Sequence, residues 1–165
     1  MASGRRPGGK GTPATVAATR ANVAFTLHPY EATAGEESYG EAAADALGVP
    51  RDRLFKTLVT EVDGDLTVAV VPVSSALDLK ALAGAAGGKR AAMADPVQAE
   101  RVTGYVRGGI SPLGQRRSLP TVVDSSASAF PTIYVSAGRR GLQIELAPAD
   151  LIRLTGATTA EIARG

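Results

Sequence analysis

Apolar positions along this chain recur with a period near 3.6 in some segments and near two in others, and Gly, Pro, Asp and Asn mark the changes between them. Thr12 followed by Pro13 predicts a helix start, a side-chain cap and then a first-turn proline, with the helix running to Arg20. Ala24 to His28 reads as a strand, Ser38 with Glu41 forms a capping box, and Gly48 and Pro50 stop that second helix. Leu54 to Val62 and Leu66 to Val73 read as two strands joined across Asp63-Gly64-Asp65, where the aspartates are turn formers before they are metal ligands. Asp78 caps a helix to about Ala86, Lys89 to Ala94 is a short strand, and Asp95-Pro96 begins another helix. Thr121 to Val123, Thr132 to Ser136 and Leu142 to Leu146 are further strands, the last two linked by Gly138 to Gly141. Helices are expected after Pro148 and after Thr158, where Glu161 completes a second capping box. Repeats and internal linkers are absent from the sequence. The expected fold class is α+β, a single domain over residues 12–165 with a mixed, mostly antiparallel β-sheet surrounded by helices.

The first long strand carries an anomaly. With a period of two, Leu54, Lys56, Leu58, Thr60 and Val62 share one face, while Phe55, Thr57, Val59 and Glu61 share the other. Lys56 therefore sits between leucines, and removing an ammonium from water is costly unless a partner or ligand compensates. Two readings stand: a lysine at a strand edge whose stem lies on apolar surface, or a cation held at a pocket wall for an anionic or carbonyl-bearing ligand.

Composition narrows the chemistry. The chain has 165 residues, 44% of them hydrophobic and only 4% aromatic, so its core is expected from Ala, Val, Leu and Ile. It has no cysteine and one histidine, which removes disulfides, thiolate metal sites and a cysteine nucleophile. No His or Cys cluster has ligand spacing, so neither a metal nor a cofactor is expected. A conventional triad has no evident histidine partner for any serine, because His28 precedes Pro29 near a strand end. No apolar run approaches a membrane span and residues 1–11 lack a signal-peptide core, so a cytoplasmic protein is expected.

The net charge of +2 conceals its distribution. Arg5, Arg6 and Lys10 lie in a Gly-rich stretch without acids, so residues 1–11 read as a disordered basic arm, either solubilising or in contact with nucleic-acid phosphates. Residues 12–88 hold five basic and ten acidic side chains, and residues 89–165 hold ten basic and six acidic. A basic face from the second half would include Lys89, Arg90, Arg101, Arg107, Arg116, Arg117, Arg139 and Arg140.

Gly104 to Arg117, GYVRGGISPLGQRR, concentrates glycines, one proline and arginines in a shaped, cationic loop. Backbone N–H groups in such a loop can hold an anion or a polarised carbonyl. Gly109 and Gly114 have the separation of a P-loop, but Gln115 and Arg116 stand where Lys and Ser/Thr are needed, which removes the nucleoside-triphosphate reading.

Longer motifs then come into view. Thr12-Pro13-Ala14, FKTL at Phe55 to Leu58, LDLK at Leu77 to Lys80, MADP at Met93 to Pro96, TGYVRGGISPLGQRRSLPTVVD at Thr103 to Asp124 and IYVSAGRRGLQIEL at Ile133 to Leu146 occur in order. Together they resemble the YbaK/EbsC family, most of all its bacterial Cys-tRNA(Pro) deacylases, over residues 12–164. The resemblance implies a freestanding relative of the editing domain of prolyl-tRNA synthetases, a deacylase of the hydrolase or lyase type that clears cysteine from tRNA(Pro). The family is understood to use its substrate: the cysteine thiol attacks its own carbonyl while the protein positions and polarises.

Carried over by motif, Lys56 resembles the family lysine that contacts the tRNA end, and Thr57 a neighbouring pocket residue. Gly108, Gly109, Ile110, Ser111 and Pro112 are similar to the GxxxP loop whose backbone holds the aminoacyl carbonyl, so Lys56, Gly108 and Gly109 are the catalytic candidates. Tyr30 and Tyr39 resemble the substrate wall and Ser136 a polar pocket position, while Arg107, Arg116, Arg117, Arg139 and Arg140 are the tRNA-contact candidates. Gln143 stands where these deacylases usually carry Asp, and an amide cannot act as a carboxylate base. The implied partners are the acceptor end of mischarged tRNA(Pro) and prolyl-tRNA synthetase. The alternatives are a deacylase of another mischarged tRNA, such as Ala-tRNA(Pro), and a noncatalytic tRNA-binding module.

Overall fold

The computed structural model describes residues 11–32 and 39–165. The predicted basic arm, apart from Gly11, and Ser38 of the predicted capping box lie outside the described residues. Helix α1 (Pro13–Arg20) begins as its cap signal predicts: Thr12 Oγ1 accepts the Thr15 N–H at 3.2 Å, and Thr15 Oγ1 accepts the Thr12 N–H at 2.9 Å. The same Thr12 hydroxyl donates to the Ala137 carbonyl, so a local cap also anchors the helix to a distant strand.

Strand β1 (Phe25–Pro29) and helix α2 (Tyr39–Leu47) lead to the hairpin of β2 (Phe55–Val62) and β3 (Asp65–Pro72). Its two-residue turn places Asp63 at φ +51° and Gly64 at φ +88°, the left-handed pair a tight hairpin needs. The Asp63 carboxylate accepts the N–H groups of Arg90 at 2.9 Å and Lys89 at 3.0 Å, which hold its pKa below the usual carboxylate value. Those bonds deliver β5 (Ala91–Met93) to the free edge of β2.

Next come β4 (Ala76–Leu77), α3 (Leu79–Ala85) capped by Asp78, and α4 (Pro96–Thr103), capped by Asp95 and ended by Gly104 at φ +81°. Beyond the long loop lie β6 (Thr121–Asp124), a 3-10 turn at Ser125–Ala129, β7 (Ile133–Arg139), β8 (Leu142–Leu146) and α5 (Pro148–Thr155). The predicted helix after Thr158 is not formed: Thr158–Ala160 is strand β9 and Ala163–Arg164 is strand β10. The segment is too short to sustain a helix alone, and its backbone finds better partners. β9 pairs parallel with β6, and the buried Asp124 carboxylate accepts the N–H groups of Ile162 and Ala163, each at 2.9 Å, which steers β10 onto β4.

Among the described residues the strands pair in three sheets, β1-β8-β7, β5-β2-β3-β6-β9 and β4-β10; of these strand pairings, β3–β6 and β6–β9 are parallel and the rest antiparallel. The two faces of β2 enter different cores. Phe55 and Val59 pack with Val68, Val70, Val135 and Ile144, while Val62 packs with Val71, Leu82 and Ile162 beneath α3. Each fully buried aliphatic side chain of this size contributes roughly 1.5–3 kcal/mol. With both faces covered, β2 keeps a half-buried Lys56 only because its sheet opens into a cavity there. Among the described residues, no helix is long and apolar enough to cross a membrane.

Candidate active site

The cavity has a volume of about 510 Å³, within the range of small-ligand sites. Its walls come from Tyr30 after β1; the start of α2 with Tyr39, Gly40 and Glu41; Leu54 and β2 from Phe55 to Val59; Val73 after β3; Met93 to Glu100 around the start of α4; the glycine loop; and β7–β8. Strand β2 presents Lys56, whose ammonium has no ion pair among the described residues. The two lining carboxylates are engaged elsewhere: Glu41 lies 3.6 Å from Arg51, and Glu100 Oε2 accepts the Arg107 N–H at 2.8 Å.

Ser136 and Gln143 are cross-strand partners, so their side chains leave the same face of the sheet. Val135 and Ile144, on the opposite face, are wholly buried in the main core. This alternation pushes Gln143 into the cavity although it is only 4% exposed. Its Oε1, like Thr57 Oγ1 across the cavity lining, is buried with no hydrogen-bond partner among the described residues. A buried polar atom without a partner costs about 1–3 kcal/mol, so both atoms are open to a hydrogen bond from whatever enters the cavity.

The glycine loop is rigid by construction. Tyr105 Oη donates to Leu113 O at 2.6 Å across its base, and burial pushes the phenol pKa up to about 12. Ser111 is wholly buried, accepts the Leu113 N–H on Oγ and the Gln115 side-chain amide on its carbonyl, and with buried Pro112 frames the loop outside the cavity lining. Ser136 Oγ donates to Gly109 O at 3.0 Å and accepts the Gly138 N–H at 3.1 Å. The Gly109 N–H is consumed by Val106 O at 2.8 Å, so that residue offers no donor to a substrate. Its lack of a side chain is needed for a different reason: a Cβ would fall 2.8 Å from Arg139 Cα. Gly108 and Ile110 do line the cavity, and their N–H groups meet no acceptor among the described residues.

The structure thus gathers Lys56, Thr57, Tyr30, Tyr39, Arg107, Gly108, Ile110, Ser136 and Gln143 around one cavity. Gly109, Ser111 and Pro112 shape the loop from behind, and Arg116, Arg117, Arg139 and Arg140 are exposed outside the lining. Sequence reasoning passed over the wall formed by Pro96, Ala99 and Glu100. Their i, i+3, i+4 spacing on a capped helix was the available signal. His28 stands apart, its Nε2 2.8 Å from Glu145 Oε1, with its ring 5.0 Å from that of Tyr134. Burial raises the Glu145 carboxyl, but the Thr132 hydroxyl, His28 and the Arg53 charge outweigh it and hold the pKa low. Chemically, the cavity offers backbone donors and a cation for a polarised carbonyl and an anionic terminus, plus two unpaired polar atoms for the rest of the ligand.

Residues 35–154 match the family model described as the aminoacyl-tRNA editing domain. The chain is 46% identical over 125 residues to an Enterococcus faecalis protein named "Putative Cys-tRNA(Pro)/Cys-tRNA(Cys) deacylase EbsC", covering 74% of this chain and 75% of that one. It is 30% identical over 135 residues to the Escherichia coli multifunctional Ser/Thr-tRNA deacylase ProXp-y, covering 79% and 78% of the two chains. A crystal structure described as a "putative trans-editing enzyme for prolyl tRNA synthetase" superposes with a TM-score of 0.74 at 26% identity, over 86% of this chain and 87% of that one.

Proposed function

This chain belongs to the aminoacyl-tRNA editing domain family, and on that premise we propose that it is a freestanding trans-editing deacylase that removes cysteine from mischarged Cys-tRNA(Pro). The observation that carries the reading is that the unpaired Gly108 and Ile110 N–H groups and Lys56 belong to residues lining one cavity, with no nucleophile–base pair among the described lining residues. The Ser136 hydroxyl is committed to Gly109 O, and the single histidine is outside the lining. The protein therefore supplies geometry and polarisation, and the nucleophile comes from the substrate.

In this scheme the ester carbonyl oxygen lies against the loop N–H groups, and Lys56 holds the terminal nucleotide. The substrate thiol sulfur bonds to the carbonyl carbon, and the ester C–O bond breaks. The thiol proton ends on the ribose hydroxyl, releasing a four-membered thiolactone that water opens to cysteine. The reaction belongs in the cytoplasm, where charged tRNA is made, and choice of tRNA(Pro) is shared with prolyl-tRNA synthetase, because so small a chain offers little surface for reading a tRNA.

A second reading is carried by Thr57 Oγ1 and Gln143 Oε1. Left unpaired, they favour a substrate side chain able to hydrogen-bond, which points to serine or threonine esters, as in the name of the Escherichia coli relative. Purified protein incubated with Cys-, Ala-, Ser- and Thr-charged tRNA(Pro), with and without the synthetase, separates the readings by loss of the ester. The first expects cysteine to be released fastest, and no release from any substrate sinks both.

A further inference from the structure

Arg140 lies outside the cavity lining and is exposed, yet its side chain is joined to two of the cavity walls. Its Nε donates to Arg107 O at 2.7 Å, and its guanidinium carbon stands 4.7 Å from the centroid of the Tyr39 ring. Arg107 belongs to the glycine loop, and Tyr39 is the first residue of α2. Gly108 fills the space between them at φ +85°, where a Cβ would fall 2.8 Å from Arg140 Nε and 2.9 Å from Tyr39 Cδ2. The base of this side chain is itself fixed, because Gly109 packs against the backbone of Arg139 and Arg140. A guanidinium combines an in-plane N–H donor with a flat cationic face for an aromatic ring; an ammonium cannot hold both contacts in one geometry.

We propose that Arg140 is a positioning residue that ties the Tyr39 ring to the Arg107 carbonyl across the cavity mouth and so keeps the Gly108 N–H aimed at the ester carbonyl. The inference rests on the deacylase reading above. It differs from the expectation that Arg140 contacts tRNA phosphates, and the two roles separate kinetically. A phosphate contact affects only substrates that carry the tRNA body, acts through KM and fades with salt. A positioning residue acts on kcat, for any substrate that reaches the loop.

The experiment compares wild type, Arg140→Ala, Arg140→Lys and Arg140→Gln on the best-cleaved charged tRNA and on the matching 3′-aminoacyl adenosine, at low and high salt. Arg140→Ala is expected to lower kcat roughly 10- to 100-fold on both substrates, with KM and salt dependence unchanged, as misplacement by up to about 1 Å does. Arg140→Lys is expected to recover part of the loss, and Tyr39→Leu to add little on top of Arg140→Ala. A loss confined to KM for the full tRNA, kinetics equal to wild type, or full additivity with Tyr39→Leu would overturn the inference. If the alanine variant does not fold, Arg140→Gln, which keeps a donor for Arg107 O without the cation, carries the same comparison. A wild-type protein inactive on every charged tRNA overturns the deacylase reading, and this inference with it.

Discussion

Ser136 and Gln143 face one another across β7 and β8, one with its hydroxyl donated to Gly109 O at 3.0 Å and the other with a buried amide oxygen that has no partner among the described residues. One side chain braces the loop and the other leaves a buried acceptor open, although both leave the same face of the same sheet.

Gln143→Leu tests that division. It removes a buried acceptor lacking a partner, so stability should stay level or rise by up to about 1 kcal/mol, while kcat/KM for the best substrate falls at least roughly tenfold. Thermal melting and deacylation kinetics on the same preparation check it, and a strongly destabilised but fully active variant is the contrary result.

Lys56→Ala should leave the melting temperature unchanged, since the ammonium has no ion pair to lose among the described residues. A charge-assisted hydrogen bond to substrate is worth about 1.5–3 kcal/mol, which corresponds to a loss of roughly 10- to 150-fold in kcat/KM. Wild-type rates in this variant would remove Lys56 from the site.

Gly109→Ala and Gly84→Ala make an instructive pair. A Cβ at Gly109 would stand 2.8 Å from Arg139 Cα and 3.0 Å from Arg140 N, backbone atoms that cannot rotate away. Overpacking of this kind costs about 1–3 kcal/mol, and the displaced loop should lose activity as well. Gly84 lies inside α3 with nothing within 4 Å, so alanine there should stabilise by roughly 0.5–1 kcal/mol with activity intact. Denaturant midpoints for the two variants should move in opposite directions.

Asp124 governs the response to acid. Burial raises its carboxyl, but hydrogen bonds from the Ser126 hydroxyl and from the N–H groups of Ile162, Ala163 and Ser126 outweigh it, and the pKa is depressed. A depressed carboxyl contributes stability that is present above its unfolded pKa of about 3.9 and is lost as pH falls through the lower folded value. Wild type should therefore weaken steeply below about pH 4. Asp124→Asn should already be about 2 kcal/mol weaker at neutral pH and show a shallower acid slope. Unfolding curves between neutrality and acid measure both, and parallel slopes for the two proteins would contradict the assignment.

Much of the fold was legible because its signals are short-ranged. Thr12-Pro13, Asp78 and Asp95-Pro96 start helices through bonds spanning three residues, and Asp63-Gly64 turns a hairpin through two positive φ angles. The cavity residues were legible in part, since motif resemblance named Lys56, Thr57, Gly108 and Gln143 while the α4 wall went unread. The segment after Thr158 misled because Thr158 and Glu161 have capping-box spacing, whereas its strand partners lie some 36 residues away, at Val122 to Asp124.

By itself the sequence determined where most elements start and stop and, through its motifs, the family to which the chain belongs. Tertiary structure alone decided that Gly109 spends its N–H on Val106 and that Arg140 bridges Tyr39 and Arg107. It also decided that Gln143 holds an unpaired oxygen and that the C-terminal residues become strands. Caps and turns are settled by hydrogen bonds within a few residues, whereas a donor's availability depends on acceptors that only folding brings near.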